Sequence, residues 1–522
     1  MQQKFQKYQI ADFKSGQPEV LKCNIKQEGI YTIKYSSQSS SGEYIDQARR
    51  RYQVNRIAHW DRVSDQKEKP RQAARFYHRL IQHYYKFLVP KGLRVLEIGC
   101  GHGDLLAALK PSYGIGLDFS RQMIRCAAKK HPDLNFVVAD AHDFEIKQKF
   151  DVIILSDLVN DLWDLQGVLE NLAAVSHPKT RLVVNFYNNL WRIPLSVVKR
   201  LGLGANLLEQ ILFSPHDIFN LLQLAGFEVI SHRPCILWPI NFPLLVKLAN
   251  RYLVYFPPFK WFALTNIVVS RPQPVFAISE SSDLPSVSVI IPARNESGNI
   301  ENIFKRLPAL GSKTELIFVE GHSDDSTYET IDQVATDFPQ TKCKLLRQTG
   351  KGKGNAVRLG FKEAEGEVLM ILDADMTVPP EDLQRFYEAI VSRKGEFING
   401  VRLVYPLENQ AMRFLNILGN KFFSLAFGWL LGQPIKDTLC GTKVLWKADY
   451  NLIAHNREYF GEFDPFGDFD LLFGAARLNL KIAELPIRYR SRTYGVTNID
   501  RWRHGWLLLR MVLFAAKRIK FI

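Results

Sequence analysis

Short hydrophobic runs of strand length alternate with helix-like stretches along most of the chain. In the first half, the runs include "LRVLEIG", "GIGLDFS" and "FDVIILSD". After a stretch rich in proline and serine, the alternation begins again with "VSVIIPARNE" and "ELIFVEGHSDD". Strands that alternate with helices are typical of parallel sheets covered by helices. The pattern therefore predicts two α/β domains in tandem.

The length and the composition shifts suggest where the domains begin and end. With 522 residues, the chain is too long for one hydrophobic core of ordinary size. We predict an unassigned N-terminal extension at 1–45, a first domain at 46–270, a linker at 271–286 and a second domain at 287–522, which ends in a basic apolar helix.

The charge and the cysteine usage narrow the choice of partner and compartment. The formal net charge is +15, which favours anionic partners such as nucleic acid, lipid headgroups or phosphorylated substrates. No aromatic RNA motif or helix-turn-helix signature appears, so nucleic acid is not the expected partner. The 6 cysteines show no paired or zinc-type spacing, which is typical of a reducing cytoplasm. No apolar stretch reaches the roughly 18–20 residues of a spanning helix.

A glycine cluster follows the first predicted strand of the first domain. In "VLEIGCGHGDLL", the glycines are Gly99, Gly101 and Gly103, and glycine permits a close approach of the backbone to a ligand. Asp118 ends the next strand, where an acid can accept both hydroxyls of a ribose. Asp140 ends the third strand, where it can meet an adenine edge. These strand-end features together predict a nucleoside-bearing ligand.

This first domain resembles the class I S-adenosylmethionine-dependent methyltransferases, whose first motif reads ExGxGxG, over about residues 75–235. The resemblance implies a Rossmann-like fold in which Glu97 and the three glycines line the methionine end of S-adenosylmethionine. It also implies Asp118 on the ribose and Asp140 near the adenine. Asp157 follows the fourth strand, where such enzymes meet the methyl acceptor. The alternatives are a fold that holds no cofactor, or an NAD site.

Two aspartates one residue apart, Asp373 and Asp375, follow a buried strand of the second domain in "EVLMILDADM". Paired like charges are costly unless something positive neutralises them. A bound Mg²⁺ or Mn²⁺ would do so and would stabilise a diphosphate leaving group. Lys353, in the basic loop "QTGKGKGNAVRLGF", could also approach phosphate. The alternative is a simple strand end with a capping acid.

The second domain resembles the family 2 glycosyltransferases of the GT-A fold, in particular the dolichyl- and polyprenyl-phosphate sugar transferases. "VSVIIPARNESGNI", "LIFVEGHSDDST", "DTLCGTK" and the DxD pair carry the resemblance. It implies that Asp373 and Asp375 are the metal and diphosphate ligands. The implied nucleotide contacts are Pro292, Asn295, Glu296, Glu320 and Asp325. In one departure, Gly321 stands where the family has a second aspartate.

The resemblance also suggests an acceptor site near the C-terminus. Asp468 and Asp470 match an acidic motif, and one would act as general base if the acceptor were a hydroxyl. A lipid phosphate is already anionic and would need no base. Guanidinium groups suit such a phosphate, and the alternative is a solvated basic strand face. The arginines concerned are Arg488, Arg490 and Arg492.

Three segments combine apolar runs with basic flanks and tryptophan: 235–262, 412–436 and 501–522. Each is a candidate for peripheral contact with an anionic membrane, at its inner face, and the alternative is a core or interdomain helix.

The leading hypothesis is a bifunctional cytoplasmic enzyme. One domain would transfer a methyl group, and the other would transfer a sugar from a nucleotide sugar to a glycan or polyprenyl-phosphate acceptor. The alternatives are a monofunctional glycosyltransferase whose first domain only binds cofactor or scaffolds, and a non-catalytic membrane-surface binding protein.

Overall fold

The central strands of each sheet are buried and apolar on both faces, as expected where helices cover both sides of a sheet. In the computed structural model, the structure describes residues 42–65, 72–200, 208, 210–274, 284–402, 414–457, 467, 469–487, 494 and 501–522. The chain divides into two compact units, Met1–Gln273 and Pro274–Ile522. Two α/β units in tandem confirm the predicted fold class.

The sheet of the first unit has the strand order β3-β2-β1-β4-β5-β7-β6 among the described residues. All neighbouring strands pair in parallel except β7, which is antiparallel to both β5 and β6. The strands are β1 (Arg94–Ile98), β2 (Tyr113–Asp118), β3 (Asn135–Val138), β4 (Phe150–Leu155), β5 (Ser176–Tyr187), β6 (Phe227–Ile236) and β7 (Thr265–Pro272).

The helices of the first unit connect and cover these strands. They are α1 (Gly42–Asp65), α2 (Gln72–Leu88), α3 (Asp104–Leu109), α4 (Arg121–Lys130), α5 (Leu165–Ala174), α6 (Arg192–Arg200), α7 (Pro215–Leu224) and α8 (Pro243–Arg251). The core between sheet and helices is built from aliphatic residues of the strands and of α5, and Phe150, Phe186 and Phe227 are fully buried rings within it. Because β1 lies between β2 and β4, the strand order reverses there and leaves a crevice at the carboxyl ends of the strands.

The sheet of the second unit has the order β10-β9-β8-β11-β13-β12-β14 in the described part of the chain. Here β13 is antiparallel to β11 and β12, and the other pairs are parallel. The strands are β8 (Val287–Ala293), β9 (Thr314–Glu320), β10 (Lys342–Arg347), β11 (Val368–Ile371), β12 (Phe397–Val401), β13 (Lys443–Trp446) and β14 (Ile482–Pro486). The order reverses between β8 and β11, which marks the corresponding crevice.

The helices of the second unit likewise connect and cover its strands. They are α9 (Ile300–Arg306), α10 (Thr327–Asp337), α11 (Lys353–Glu363), α12 (Leu383–Val391), α13 (Phe414–Leu431), α14 (Lys447–His455), α15 (Phe469–Arg477) and α16 (Arg501–Ala515), which is followed by a π-helical turn, Ala516–Lys520. None of the helices in the described ranges is both long and apolar enough to span a bilayer.

Candidate active sites of the two units

The loop after β1 has a backbone that requires glycine. Gly99, Gly101 and Gly103 have φ angles of 71°, 50° and 72°, in the region that residues with a Cβ rarely adopt. A Cβ at Gly103 would lie 2.6 Å from the ring of Phe136, so the loop packs tightly there. A Cβ at Gly101 would meet nothing within 4 Å. The loop therefore turns sharply and leaves open space beside its middle glycine.

Asp118, at the end of β2, ties this loop to the next one. Its Oδ2 accepts a hydrogen bond from the Gly101 amide at 2.9 Å, and its Oδ1 accepts one from the Ser120 amide at 2.9 Å. Burial raises the pKa of Asp118 to about 6. The carboxylate is thus fixed beside the open space at Gly101, where the resemblance expects the ribose.

Glu97, in β1, is a buried carboxyl group with an unpaired oxygen. Its side chain is 3% exposed, and Oε2 has no hydrogen-bond partner among the described residues. Burial raises the pKa of Glu97 to about 8. A buried acceptor without a partner calls for a ligand that supplies one. A cationic group bound beside it would suit both the unpaired oxygen and the displaced pKa, so these residues fit the methionine end of S-adenosylmethionine.

Asp140 follows β3, and both of its carboxylate oxygens accept hydrogen bonds from neighbouring residues. Its Oδ1 accepts hydrogen bonds from the backbone amide and Nδ1 of His142, at 2.9 and 2.8 Å, and the Gln53 amide donates to its Oδ2. Burial opposes ionisation, but the His142 contacts hold the pKa of Asp140 below its usual value. A ligand that uses Asp140 would share it with Gln53.

Gln53 belongs to α1, a helix that the sequence analysis did not predict. The helix contacts the segments that follow β1, β2, β3 and β4. Besides the Gln53 contact, Ser64 Oγ lies 3.3 Å from His102 Nε2, and Asp61 accepts from Ser120 Oγ at 2.5 Å. Arg56 lies 3.7 Å from Asp161. Hence α1 covers the carboxyl ends of the strands that hold the candidate cofactor site.

Asp157, after β4, stands in a cluster of polar side chains. Its Oδ1 accepts hydrogen bonds from the Tyr77 hydroxyl at 2.7 Å and from Asn185 Nδ2 at 2.6 Å. His78 Nδ1 lies 3.9 Å from Oδ2, and the Tyr77 hydroxyl lies 3.2 Å from Thr265 Oγ1. Burial raises the pKa of Tyr77 well above its usual value, so Tyr77 stays protonated and donates. The structure thus groups Tyr77, Asn185 and Thr265 around Asp157, and the sequence had indicated only Asp157.

In the second unit, the loops after β8 and β9 hold each other. Pro292 pairs in register with Val319 in these two strands. Asn295 has a φ of 56°, its amide donates to Ser323 Oγ at 3.1 Å, and its Oδ1 accepts from the Asp324 amide at 2.8 Å. Asn295 is therefore a structural link between the two loops that the resemblance places at the nucleotide.

The three predicted acids of these loops are also bound to their surroundings. Glu296 Oε2 accepts from Asn299 Nδ2 at 2.8 Å, and Glu320 Oε1 accepts from the Ser323 amide at 2.5 Å. Asp325 accepts hydrogen bonds from the amide and the hydroxyl of Thr327. Burial opposes ionisation of Asp325, but these hydrogen bonds and those from Ser297 hold its pKa below the usual value.

Gly321, which stands where the family has a second aspartate, faces the side chain of Gln348. A Cβ at Gly321 would lie 3.1 Å from Gln348 Oε1. Gln348 is buried, and its Nε2 donates to the Gly352 carbonyl at 2.8 Å, so it also ties down the basic loop before α11. Gln348 thus occupies the neighbourhood where the family has a carboxylate, and no sequence signal pointed to it.

The DxD pair follows β11, and a lysine neutralises its first member. Lys353 Nζ, in the first turn of α11, lies 2.5 Å from Asp373 Oδ1. Burial opposes ionisation, but Lys353, Lys443 and Arg402 hold the pKa of Asp373 below its usual value. A Cβ at Gly441 would overlap both Asp373 Oδ2 and Lys353 Nζ. The glycine of "DTLCGTK" therefore makes room for this ion pair.

Asp375 accepts hydrogen bonds from the Thr377 amide at 3.1 Å and the Thr377 hydroxyl at 2.8 Å. No group of three or more His, Cys, Asp or Glu side chains in the described ranges is arranged to hold a metal ion by itself. A pair of carboxylates still fits Mg²⁺ or Mn²⁺, because such ions are bound by one or two carboxylates together with substrate phosphates. Metal and nucleotide are thus expected to bind together.

Asp470, at the start of α15, is buried among arginines. Its Oδ2 accepts from Arg457 Nε at 2.9 Å, and Arg358 Nη1 lies 3.7 Å from Oδ2. The Oδ2 atom is therefore already occupied by a charged partner and is not free to accept a proton from a bound hydroxyl. The other predicted acceptor-site residues lie outside the described residues: Asp468, Arg488, Arg490 and Arg492.

Comparison with known proteins assigns each unit. The family model "Glycosyl transferase family 2" matches residues 288–443, and the model "Methyltransferase domain" matches residues 67–232. A dolichol-phosphate mannosyltransferase of Mycosarcoma maydis is 32% identical over 243 residues, which is 44% of this chain and 79% of that protein. The chain belongs to glycosyltransferase family 2 through its second unit, and its first unit is a methyltransferase domain. Both resemblances stated from the sequence are confirmed.

Other relatives match shorter stretches of the second unit. A dolichol-phosphate mannosyltransferase of Pyrococcus furiosus is 42% identical over 107 residues, 20% of this chain and 30% of that protein. An undecaprenyl-phosphate 4-deoxy-4-formamido-L-arabinose transferase of Pectobacterium atrosepticum is 33% identical over 162 residues, 30% of this chain and 48% of that protein. The matches thus cover less than half the length of these two relatives.

Proposed function

We propose that the protein is a bifunctional transferase. Its second unit transfers a sugar from a nucleotide sugar to a polyprenyl- or dolichyl-type lipid phosphate, and its first unit transfers a methyl group from S-adenosylmethionine. The observation that carries sugar transfer is the Lys353–Asp373 pair at the carboxyl end of β11, beside the loops of Asn295 and Glu320. Methyl transfer is supported by the buried Oε2 of Glu97 beside the glycine loop, which has no hydrogen-bond partner among the described residues.

The names of the relatives support a lipid phosphate as sugar acceptor, since they act on dolichol phosphate or undecaprenyl phosphate. In the reaction, an oxygen of the acceptor phosphate attacks the anomeric carbon, the bond from that carbon to the diphosphate breaks, and the nucleoside diphosphate leaves. A phosphate oxygen carries no proton to remove, so Asp470 can remain paired with Arg457. The glycan hydroxyl alternative would need a base.

The described residues have distinct tasks at the sugar-donor site. Asp373 and Asp375 would hold Mg²⁺ or Mn²⁺ together with the donor's phosphates, and the bound cation would neutralise the charge that develops on the leaving diphosphate. Lys353 would hold Asp373 in place and present a second positive charge to the phosphates. Asn295, Glu320 and Asp325 keep the nucleotide loops in register.

In the first unit, the residues would bind and orient the methyl donor and acceptor. S-adenosylmethionine supplies an electrophilic methyl group on a sulfonium. Glu97 and the loop at Gly101 would hold its methionine end, Asp118 would accept the ribose hydroxyls, and Asp140 would meet the adenine. Asp157, held by Tyr77 and Asn185, would position a polar acceptor atom and receive its proton.

A lipid-phosphate acceptor requires work at a membrane surface, so we include peripheral contact with an anionic membrane in the proposal. In support, α13 exposes Phe422 and Leu425, and α16 exposes Trp506 and Leu513. Basic residues accompany them, including Lys517 and Arg518. Exposed apolar and aromatic side chains with basic neighbours are typical of segments that lie in a membrane interface.

Sugar transfer is tested with a panel of nucleotide sugars, Mn²⁺ or Mg²⁺, and dolichyl or undecaprenyl phosphate. We expect Asp375→Asn to reduce turnover roughly 100-fold, because the leaving diphosphate loses the charge that stabilises it. The exposed Asp332→Asn on α10 is the matched control and should keep full activity. Wild-type turnover by Asp375→Asn in the presence of a chelator would refute the role of the pair.

Methyl-donor binding is tested by calorimetry with S-adenosylmethionine. We expect saturable binding that Asp118→Ala weakens about 10- to 100-fold, because the ribose hydroxyls and the Gly101 amide lose their shared acceptor. Asp133→Ala, at an exposed acid of the same unit, should bind like the wild type. The absence of any heat of binding in the wild type would remove the methyltransferase activity from the proposal.

A further inference from the structure

The first unit exposes an unusual number of large hydrophobic side chains in one stretch. Of the twenty-five exposed large hydrophobics among the described residues, eleven lie between Trp238 and Phe262, and three more lie between Leu190 and Val197. Scattered apolar residues on a surface need no explanation, but a concentration of this kind marks an interaction site. We call residues 190–197 and 238–262 the apolar face.

Helix α8 presents leucine where a surface helix normally presents polar residues. Leu244 is 84% exposed, and Leu245 and Leu248 are each 51% exposed, whereas Val246 and Asn250 are buried. A helix at a protein surface turns its apolar stripe to the core and its polar residues to solvent. In α8 the buried side contains an asparagine and the outer side contains three leucines. The outer side is therefore built to meet something apolar.

Hydrogen bonds fix the backbone below the apolar face. The exposed side chains therefore belong to an ordered surface and not to a poorly packed segment. The buried Asn250 accepts from the amides of Leu237 and Trp238, at 2.9 and 2.7 Å, and donates to the Trp238 carbonyl at 2.7 Å. Trp191 Nε1 donates to the Phe262 carbonyl at 2.8 Å, which joins the two segments of the face.

The charges of the face favour an anionic partner. The sequence has no aspartate or glutamate between Glu228 and Glu280, nor between Glu170 and Glu209. The exposed charged side chains among the apolar ones are basic: Arg192, Lys247 and Lys260. A second copy of the chain would bring the same basic residues against each other, because a twofold interface is self-complementary. Anionic headgroups would pair with these side chains, and acyl chains would receive the leucines and aromatic rings.

The mix of aromatic residues also fits a lipid interface. Trp238, Tyr252, Trp261 and several phenylalanines are exposed on the face. Tryptophan and tyrosine are favoured at the boundary between headgroups and hydrocarbon, where one end of the ring is wet and the other is apolar.

The apolar face also borders the candidate methyl-acceptor cluster. Trp261 accepts through its carbonyl from Asn188 Nδ2 at 3.0 Å, directly after the end of β5. Thr265, three residues beyond Phe262, lies 3.2 Å from the Tyr77 hydroxyl, which donates to Asp157. A molecule held at the apolar face would therefore lie next to the carboxyl ends of β4 and β5.

We propose that the apolar face docks the methyltransferase unit on an anionic lipid bilayer. The occupant is the interfacial region of the bilayer, with α8 lying along it and Lys247 and Lys260 at the headgroups. This docking does not depend on sugar transfer by the second unit. It implies that the methyl acceptor is a molecule held in or at that surface.

The test is flotation of the full-length protein with vesicles of phosphatidylcholine that contain about one third phosphatidylglycerol. We expect the double variant Leu244→Glu/Leu248→Glu to reduce the bound fraction about tenfold, because two carboxylates would face the headgroups. Leu224→Glu, at a leucine of α7 that is 59% exposed outside the face, is the matched control and should bind like the wild type. Unchanged binding of S-adenosylmethionine by both variants shows that they are folded.

Hydrogen exchange with and without the vesicles supplies a local measurement. Protection of residues 243–262 supports the proposal, whereas protection confined to α13 and α16 would overturn it. The proposal would also be overturned if the wild-type protein did not float with the vesicles at low salt and remained in the fraction of unbound protein. A wild-type dimer, seen by light scattering without vesicles, that Leu244→Glu/Leu248→Glu converts to a monomer would overturn it as well. Sugar transfer is measured separately, and its failure would not overturn the docking of the first unit.

Discussion

Glu97 couples the stability of the methyltransferase unit to pH, since its carboxyl is buried and one of its oxygens has no hydrogen-bond partner in the described part of the chain. Burial raises its pKa from 4.5 to about 8. Between these values the folded protein keeps the proton and the unfolded chain releases it. The unfolded state then binds fewer protons, so the free energy of unfolding falls as the pH rises through this window. A cation bound at Glu97 would lower its pKa and remove much of this loss.

The variant Glu97→Gln should remove that dependence on pH. We expect the wild type without ligand to lose roughly 1.4 kcal/mol of stability per pH unit across the window, partly masked by other groups, and the glutamine variant to lose clearly less. Urea midpoints at several pH values measure it, with the exposed Glu145→Gln as control. Parallel curves for the wild type and Glu97→Gln would show that Glu97 titrates normally.

Single residues were predictable where a strand end and a neighbouring motif coincide. Gly101 lies just after β1 and Asp118 ends β2, and their contact follows from the parallel pairing of these two strands. Tyr77 was not predictable, because it reaches Asp157 from 80 positions upstream, on a helix whose tyrosines look like ordinary core residues. Gln348 carries no charge and belongs to no motif, so only the fold reveals it opposite Gly321.

Among the elements, α1 is the clearest difference from the sequence-based expectation. Its sequence, "GEYIDQARRRYQVNRIAHWDRVSD", is polar and has no apolar stripe, so the periodicity that identifies helices is missing. The helix docks through polar contacts instead: Arg56 pairs with Asp161, the Tyr52 hydroxyl donates to the Asp161 carbonyl, and Asp61 accepts from Ser120. A helix held in this way can be loosened by one substitution.

Arg56→Ala should loosen the attachment of α1 to the rest of the unit. Arg56 and Asp161 are both buried, and removal of one partner of a buried pair costs about 3–5 kcal/mol because the other charge loses its compensation. We expect faster hydrogen exchange in α1 and weaker binding of S-adenosylmethionine, and we expect the cofactor to protect α1 in the wild type. Arg50→Ala, at an exposed arginine of the same helix, is the control. Equal exchange in both variants would contradict the anchoring role of Arg56.

At the scale of the whole molecule, the alternation of apolar runs predicted both α/β units, but it did not predict the direction of every strand. The strands β7 and β13 are antiparallel to their neighbours. A strand buried on both faces has the same continuous apolar sequence in either direction, so the pattern contains no information on this point. The crevices at β1/β4 and β8/β11 are unaffected, because the strands around them are parallel.

Each unit has its own sheet, core and crevice, so the two activities should be separable by single substitutions. We expect Asp118→Ala to weaken binding of S-adenosylmethionine and to leave sugar transfer within about twofold of the wild type, because Asp118 belongs to the sheet of the first unit and its hydrogen bonds are made within that unit. Asp373→Asn should abolish sugar transfer, because the DxD pair loses a charge, and should leave binding of S-adenosylmethionine unchanged. Sugar-transfer assays and calorimetry with S-adenosylmethionine on both variants measure this. Loss of sugar transfer in Asp118→Ala, with the fold intact by circular dichroism, would instead favour a monofunctional glycosyltransferase whose first unit is a cofactor-dependent scaffold.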